Sequence, residues 1–273
     1  MRKFVADEAQ KLKDFTDAHY PQGSFAFSRL LRDRDIRVNG VRTRENAMLS
    51  AGDEIAYYTT AAEEAKPFYR EVYADENVLI ADKFSGVQSE ALFFALQERG
   101  ARPVHRLDRN TAGLIAFALN EEAERELADA FRRRDVDKIY EAICFHPFQK
   151  ERGELIAYLK KDEKAAHVTL FCKPTAGAER IRTDYEVREK YGEYSLAEIT
   201  LHSGKTHQIR AHMAFIGHPV AGDEKYGDRA LNAKYHVKRQ LLVAKKLCFH
   251  TGGALAYLSG KEFESSFSAR MPH

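Results

Sequence analysis

The chain has 273 residues, of which 44% are hydrophobic and 31% charged, and its net charge is only +2. These proportions are typical of a globular protein with a sizeable core, and no stretch approaches the roughly 20 consecutive apolar residues that a membrane-spanning helix requires. The three cysteines, Cys144, Cys172 and Cys248, lack the spacing of a metal site or a disulfide framework, so we expect a protein of the reducing cytoplasm without a membrane partner.

The first 60 residues have the pattern of a small α/β module. A helix over residues 4–20 is only weakly marked, and residues 27–32 predict a second short helix. Strand-like residues then flank Asn39-Gly40, which is a strong signal for a two-residue hairpin turn. A Gly-Asp turn leads into an alternating strand over residues 52–58. This order resembles the αL-type RNA-binding module that also occurs in a ribosomal small-subunit protein.

Positive charge is concentrated within residues 29–44, where six arginines stand against two aspartates. Such a patch can be an ordinary solvated face, or it can bind the phosphates of a nucleic acid, which a chain of low net charge could do only with clustered basic residues. We expect RNA contacts from four of these arginines, Arg29, Arg32, Arg37 and Arg42. For Arg132-Arg133-Arg134 we prefer a solvated helix end, because basic residues are favoured at helix C-termini.

Residues 61–70 are polar and contain Pro67, which predicts a linker, so that the main domain would span residues 71–273. In that domain strands and helices mix without a regular βαβ alternation, which predicts an α+β fold with a mixed, largely antiparallel sheet and flanking helices. The predicted strands are 78–82, 114–119, 138–145, 166–172, 182–190, 195–202 and 253–259. The predicted helices are 89–99, 121–133, 206–216 and 239–246.

The most informative run is His105-Arg106-Leu107-Asp108-Arg109-Asn110-Thr111-Ala112-Gly113-Leu114. It places Asp108 between Arg106 and Arg109, and nearby cations favour the charged form of a carboxylate. The same cations would attract a polyanion and so hold the acid against a phosphate backbone. An ordinary surface network of ion pairs has the same pattern, and on charge alone we would favour that interpretation.

A second run, Lys138-Ile139-Tyr140, lies in a predicted strand. Tyrosine is common in strands and usually packs against one face of a core, so by itself Tyr140 would be interpreted as a core residue. Only the position of this run between two other motifs gives it a functional interpretation.

The third run, Leu201 to Met213, predicts the end of a strand, a Ser-Gly turn and a helix that opens near Thr206. On such a helix Arg210 shares a face with His207. The spacing between His207 and His212 is five residues rather than the four of a zinc-binding helix, and no acid lies between them, so we expect no metal site.

Together the three runs resemble, in the same order, the motifs of the RluA-type pseudouridine synthases, and the resemblance covers about residues 70–270. It implies a long mixed sheet with a central cleft. It also implies an isomerase that breaks the N1–C1′ bond of a uridine and rejoins the base through C5. No cofactor is expected, because the product is an isomer of the substrate.

The resemblance also implies roles for individual residues. Asp108 would be the catalytic aspartate, Tyr140 would stack on the target base, and Arg210 would pair with Asp108. The target nucleotide must flip out of its helix, and a guanidinium such as that of Arg106 could fill the vacated stack. The expected RNA contacts of this domain are Arg106, Arg109, Lys205 and His207.

Three positions depart from the usual family pattern, and none removes a proposed catalytic group. A Lys-Phe-Ser-Gly turn at residues 83–86 replaces the usual Lys-Pro-Ala/Ser-Gly, Leu-Val-Ala at 242–244 replaces Leu-His-Ala, and Ala112 replaces a serine. These differences indicate a divergent branch and weaken any inference about the target nucleotide.

Two other functions remain to be weighed. A catalytically silent RNA-binding or ribosome-assembly factor could keep the same fold, but it would have no need to hold Asp108 near a phosphate. A cytidine or adenosine deaminase is disfavoured because the chain lacks the His-x-Glu and Pro-Cys-x-x-Cys zinc signature. We expect a monomer that acts on RNA, and the N-terminal module favours ribosomal over transfer RNA.

Overall fold

The computed structural model describes residues 1–162 and 167–272, and within them it has an α+β architecture. The strands are β1 (Arg2–Val5), β2 (Gln10–Lys11), β3 (Ile36–Val38), β4 (Val41–Thr43), β5 (Met48–Leu49), β6 (Glu54–Tyr57), β7 (Tyr69–Ala74), β8 (Val78–Lys83), β9 (Arg102–Pro103), β10 (Ala112–Ala118), β11 (Val136–Phe145), β12 (Arg152–Asp162), β13 (His167–Phe171), β14 (Glu179–Lys190), β15 (Tyr194–Leu201), β16 (Leu242–Phe249) and β17 (Glu262–Glu264). The α-helices are α1 (Leu12–His19), α2 (Pro21–Asp33), α3 (Ala61–Glu64), α4 (Ser89–Ala95), α5 (Glu121–Arg133), α6 (Gln208–Phe215) and α7 (Arg229–Lys234), and 3₁₀ helices span Gln97–Arg99 and Gly253–Leu258. Among these helices, none has the length and apolar character needed to cross a bilayer.

An eleven-stranded sheet forms the main domain. Its strands follow the order β13-β12-β14-β15-β11-β16-β10-β8-β7, with β17 paired to β16 and β9 to β10. The pairing of β10 with β16 is parallel, and the other strand pairs of this sheet, in the part of the chain that the structure describes, are antiparallel. The prediction of a mixed, largely antiparallel sheet with flanking helices is confirmed.

The centre of the sheet is buried on both faces, as β10 shows. Leu114 and Ala116 point to the face that α5 covers, whereas Ile115 and Phe117 point to the opposite face, where α4 and α6 pack. Successive side chains of a strand point to opposite faces of the sheet. A strand that is buried on both faces is therefore apolar at consecutive positions and does not show the apolar-polar pattern of a half-exposed strand. This burial fixes the position of β10, and Asp108 lies in the loop immediately before that strand.

The N-terminal residues form a separate four-stranded sheet in the order β1-β6-β3-β4, with α1 and α2 packed against it. The predicted hairpin is confirmed, and Asn39 and Gly40 both have positive φ, as a tight two-residue turn requires. The rings of His19 and Phe94 meet edge to face with centroids 5.5 Å apart. Because Phe94 lies in α4, the N-terminal module contacts the main domain through its helices.

Two secondary-structure predictions near the C-terminus were wrong. Residues 239–246 form no helix, because β16 begins at Leu242 and lies between β10 and β11 in the middle of the sheet. Periodicity alone does not distinguish a short apolar run in a buried strand from a helix. Residues 253–259 form no strand, because Leu255 and Leu258 are three apart in a 3₁₀ helix that buries both against α5.

Smaller corrections concern element boundaries. The weakly marked helix over residues 4–20 is two short strands followed by α1. Part of the predicted linker, 61–70, is the one-turn helix α3, whose Thr60 cap and Glu63 form a reciprocal capping box. The helix predicted from Thr206 begins at Gln208. Residue 166 of the strand predicted over 166–172 lies outside the described residues. The long strand β12 was not predicted at all.

The parallel pairing of β10 with β16 requires a glycine at position 113. Gly113 has a φ of +109°, and a Cβ there would lie 2.2 Å from the carbonyl oxygen of Ala244. Gly113→Ala should therefore lower the free energy of unfolding by roughly 1–3 kcal/mol, because alanine is strained at this positive φ. Overpacking of its Cβ against β16 should lower it by about 1–3 kcal/mol more. Gly192→Ala is the matched control, because its φ is +78° and nothing lies within 4 Å. Denaturant unfolding measures the free energy of unfolding of both variants. If Gly113→Ala and Gly192→Ala lose equal amounts, the close approach of β16 does not require a glycine at position 113.

Candidate active site

A cleft of about 550 Å³ opens on the main sheet beside the loop between β9 and β10. The end of β15, the turn that follows it and the start of α6 form the opposite wall, and β11 contributes to the floor. Among the described residues that line this cleft, Asp108 is the single carboxylate. Six lysines and arginines line the same space, namely Arg106, Arg132, Arg134, Lys138, Lys205 and Arg210. A chain of low net charge therefore has a strongly basic cleft around one acid.

The guanidinium of Arg210 joins two carboxylates that are far apart in sequence. Its Nη1 donates to Asp108 Oδ2 at 2.9 Å, while Nε and Nη2 donate to the two oxygens of Asp223 at 2.6 and 2.9 Å. The side chain of Arg210 is 8% exposed and that of Asp223 is fully buried, whereas Asp108 keeps 23% of its surface. Asp223 thus neutralises the buried cation in a bidentate pair, and Asp108 remains accessible from the cleft.

Asp223 is held in turn by the chain that follows it. Its Oδ1 accepts the backbone N–H groups of Lys225 and Tyr226 at 2.8 and 3.0 Å. Burial alone would raise the pKa of the Asp223 carboxyl, but hydrogen bonds from Arg210 and these two amides, with the charge of Arg210, hold it below its usual range. The ring of Tyr226 lies 5.3 Å from the Arg210 guanidinium carbon, close enough for a cation–π contact.

The loop that carries Asp108 is fixed through its backbone. Ser89 Oγ both accepts the Leu107 N–H at 3.0 Å and donates to the Leu107 carbonyl at 2.9 Å. Lys83 is fully buried, and its Nζ donates to the carbonyls of Phe84, Val87 and Arg109 at 3.2, 2.8 and 3.2 Å. Burial lowers the pKa of Lys83 to about 7. These contacts set the position of the Asp108 backbone before any substrate binds.

Tyr140 lies on β11 and is buried, with its side chain on the floor of the cleft. Burial, with a smaller contribution from the charge of Asp108, raises the pKa of its phenol above the ordinary value. The phenol is therefore a neutral aromatic group at physiological pH. The structure thus brings Asp108, Tyr140 and Arg210 together in one cleft.

The histidines of the third motif are engaged with neighbouring hydroxyl groups. His207 Nδ1 lies 3.0 Å from the Tyr226 hydroxyl, and His212 Nδ1 lies 3.1 Å from Thr183 Oγ1. The one cluster that could hold a metal ion among residues 1–162 and 167–272 is Asp137, Cys248 and His250, and none of these three lines the cleft.

Comparison with known proteins identifies the family. Residues 71–215 match the model of the RNA pseudouridylate synthase family. The ribosomal large subunit pseudouridine synthase C of Vibrio cholerae is 31% identical over 251 residues, which cover 81% of this chain and 78% of the relative. An uncharacterized RNA pseudouridine synthase of Aquifex aeolicus is 30% identical over 254 residues, which cover 82% of this chain and 78% of that protein. The chain belongs to the RNA pseudouridylate synthase family. It is an isomerase of the RNA pseudouridine synthase class.

Solved structures agree with this family. The human RNA pseudouridylate synthase domain containing 1 is 28% identical, with a TM-score of 0.58, and the match covers 67% of this chain and 79% of that one. The human RNA pseudouridylate synthase domain containing 4 shares the fold with a TM-score of 0.59 at 20% identity, over 74% of this chain and 88% of that one. The predicted RluA-type family and the pseudouridine synthase fold are confirmed.

Four residues of the main domain were predicted to contact RNA. Three of them, Arg106, Lys205 and His207, line the cleft. Arg109 instead lines an adjoining cavity that shares Asp108 and Arg210 with the cleft. Its Nε donates to the Gly86 carbonyl and its Nη2 to the Ser24 carbonyl, both at 3.2 Å. Because Ser24 lies in α2, Arg109 connects the loop that carries Asp108 to the N-terminal module, and it has fewer donors left for RNA than its place in the motif indicated.

The arginines of the N-terminal module fall into two groups. Arg29 forms a bidentate pair with Glu63 at 2.7 and 3.0 Å and also contacts Asp35, and Arg32 pairs with Asp33. Arg37 and Arg42 instead face each other across the β3–β4 hairpin. Like charges on neighbouring strands repel, so this hairpin is the part of the patch best suited to an anionic partner.

Several site residues were missed or misjudged from the sequence. Asp223 was noted within a motif, but its role as the second partner of Arg210 depends on a contact between residues 13 positions apart. All three of Arg132-Arg133-Arg134 are exposed at the C-terminal end of α5, as a solvated helix end requires, but Arg132 and Arg134 also line the cleft, which was not predicted. Helix polarity explained that cluster without reference to the cleft beside it.

The Arg210 fork predicts a strong dependence on Asp223. Asp223→Asn removes the charge that neutralises a buried guanidinium, so we expect a loss of about 3 kcal/mol in the free energy of unfolding and a loss of turnover. The exposed neighbour Glu224 provides the control Glu224→Gln. Denaturant unfolding and turnover assays on both variants test the prediction. If Asp223→Asn unfolds at the same denaturant concentration as Glu224→Gln, Asp223 does not carry this role.

Proposed function

We propose that this protein isomerises specific uridines to pseudouridine in structured ribosomal RNA, with Asp108 as the catalytic group. The observation that carries the proposal is the single accessible carboxylate in a basic cleft, held by a buried arginine that already has its own counter-ion. A basic cleft attracts the RNA backbone, and a fixed carboxylate at its centre can reach one nucleotide at a time.

Each of the three central side chains has a distinct proposed role. Asp108 attacks or deprotonates the nucleotide, and addition to the sugar, addition to the base and removal of a sugar proton all remain open. Arg210 keeps Asp108 charged and aimed, while Tyr140 stacks on the uracil and assists proton transfer. The product contains the same atoms as the substrate, since the N1–C1′ bond breaks and a C5–C1′ bond forms.

A paired uridine must leave its helix to reach Asp108. Arg106 is suited to occupy the gap, because its side chain is 71% exposed at the cleft mouth and its contact, an ion pair of 3.0 Å with Glu90, is also exposed. Exposed pairs of this kind contribute little and break readily. The planar guanidinium can then stack between the bases that the uridine has left.

Ribosomal RNA is the proposed substrate, with transfer RNA as the second candidate. Relatives from Vibrio cholerae and Escherichia coli carry names that refer to the large ribosomal subunit. The N-terminal module, residues 1–60, adds the Arg37 and Arg42 hairpin and, on its resemblance to a ribosomal RNA-binding module, would hold the same RNA. We also propose that the protein acts as a monomer in the cytoplasm. A silent assembly factor is not favoured, since the catalytic contacts are intact.

The test of this proposal is Asp108→Asn, a nearly isosteric change. Arg210 would keep its bidentate partner Asp223, so the fold should survive with a loss of about 1–3 kcal/mol, the contribution of one charged hydrogen bond. Turnover should vanish, because an amide is neither a useful nucleophile nor a base at neutral pH. The assay follows tritium release from carbon-5-labelled uridine in large-subunit ribosomal RNA, with RNA binding and melting measured alongside.

Two outcomes would count against this role of Asp108. Turnover retained within tenfold of the wild type would exclude Asp108 as the catalytic group. Loss of the fold together with turnover would leave Asp108 as a purely structural partner of Arg210. Wild-type protein that releases tritium only from transfer RNA would move the substrate to the second candidate.

A further inference from the structure

Two lysines are buried near the active site, and their surroundings differ. The three N–H groups of Lys83 meet three backbone carbonyls at 2.8 to 3.2 Å, so every donor of its ammonium is used within the protein. Lys138 is 8% exposed, and within residues 1–162 and 167–272 its Nζ has one hydrogen-bond acceptor, the Val136 carbonyl at 3.3 Å. A buried ammonium with two donors to spare is costly unless something else satisfies it.

Among the described residues, the neighbours of Lys138 do not form an ion pair with it in the cleft. The Phe131 ring is 5.8 Å from its Nζ, and on the other side that ring stacks on His105 at a centroid distance of 4.2 Å. His105 Nε2 accepts the Ala116 N–H at 2.9 Å, and burial lowers the pKa of this imidazole to about 3, so the ring is neutral. An aromatic face and a neutral ring leave the ammonium charge largely uncompensated.

The charges around Lys138 also point to an anion. Arg134 is exposed, lines the same cleft and has no ion pair among the residues that the structure describes. Burial lowers the pKa of Lys138, Asp137 opposes that shift, and Arg134 adds to it. Asp137 is the preceding residue on β11, so its side chain leaves the opposite face of the strand, where it meets His250 at 2.7 Å.

We propose that Lys138 and Arg134 form a binding subsite for one backbone phosphate of the substrate RNA, adjacent to the uridine whose base stacks on Tyr140. This inference rests on the proposed function. Lys138 and Tyr140 are two residues apart on β11, about 7 Å along the strand, and both line the cleft. That spacing suits the base and the phosphate of a single nucleotide. The subsite would therefore fix the nucleotide by its phosphate while Asp108 acts on it.

The experiment compares two probes on four proteins. The probes are a five-residue oligouridylate and the same oligomer with uncharged methylphosphonate linkages. The proteins are the wild type, Lys138→Met, Arg134→Gln and Arg133→Gln. Lys138→Met keeps an unbranched apolar side chain against Phe131, and Arg133→Gln removes an equal charge from an adjacent residue that pairs with Asp135 and lies outside the cleft lining.

Lys138→Met and Arg134→Gln should each bind the charged oligomer roughly tenfold more weakly than the wild type, as expected for one charged hydrogen bond. The slope of log affinity against log salt should fall by about 0.7 for each phosphate of the single strand that a variant no longer neutralises. Arg133→Gln should match the wild type. With the uncharged oligomer, all four proteins should bind alike, because the phosphate charge that the subsite recognises is gone.

The subsite would be disproved if Lys138→Met and Arg134→Gln kept the wild-type affinity and salt slope, or lost affinity equally for both oligomers. A wild type that does not prefer the charged oligomer would disprove it as well. Melting curves check the fold, and if Lys138→Met does not fold, the exposed Arg134→Gln decides the matter. The tritium assay distinguishes failure of this subsite from failure of the proposed function. If the variants bind the charged oligomer more weakly but the wild-type protein releases no tritium, only the proposed function is wrong.

Discussion

The guanidinium of Arg210 lies between two carboxylates, and the geometry of the site depends on how it divides its hydrogen bonds. Asp223 takes two of them and is fully buried, while Asp108 takes one and remains partly open to the cleft. A buried arginine without a counter-ion would be strongly destabilising. Because Asp223 meets that requirement, Asp108 does not have to neutralise the buried arginine and remains available for its proposed catalytic role.

The sheet explains why these groups meet. The parallel pairing of β10 with β16 places the Asp108 loop at the end of a strand that is buried on both faces. On the other side of β16, β11 carries Tyr140 and Lys138, and β15 leads into the helix that carries Arg210. The loop that carries Asp108 is also connected through Arg109 to the N-terminal module. Residues from distant parts of the chain are thus held by rigid strands and backbone hydrogen bonds.

Much of this could be predicted from the sequence, because the signals were local. The Asp108 run, the Asn39-Gly40 turn and the apolar strand that became β10 each carry their information within about ten residues. Strand β16 was mistaken for a helix because its identity depends on the neighbours that bury it. The pairing of Arg210 with Asp108 was predicted, but its second partner, Asp223, and the carbonyl partners of Arg109 were not, since charge patterns do not tell which further acid or carbonyl a long side chain reaches.

Turnover by Arg210→Lys tests directly whether the Arg210 guanidinium positions Asp108. Lysine keeps the positive charge, but a single ammonium cannot reproduce the fork that contacts two carboxylates at once. If the fork positions Asp108, the variant should fold and bind RNA within a few-fold of the wild type but release tritium from labelled uridine at least about 100-fold more slowly, the effect expected from a misplaced catalytic group. Turnover within tenfold of the wild type would contradict this role of the fork, because charge alone would then suffice to position Asp108.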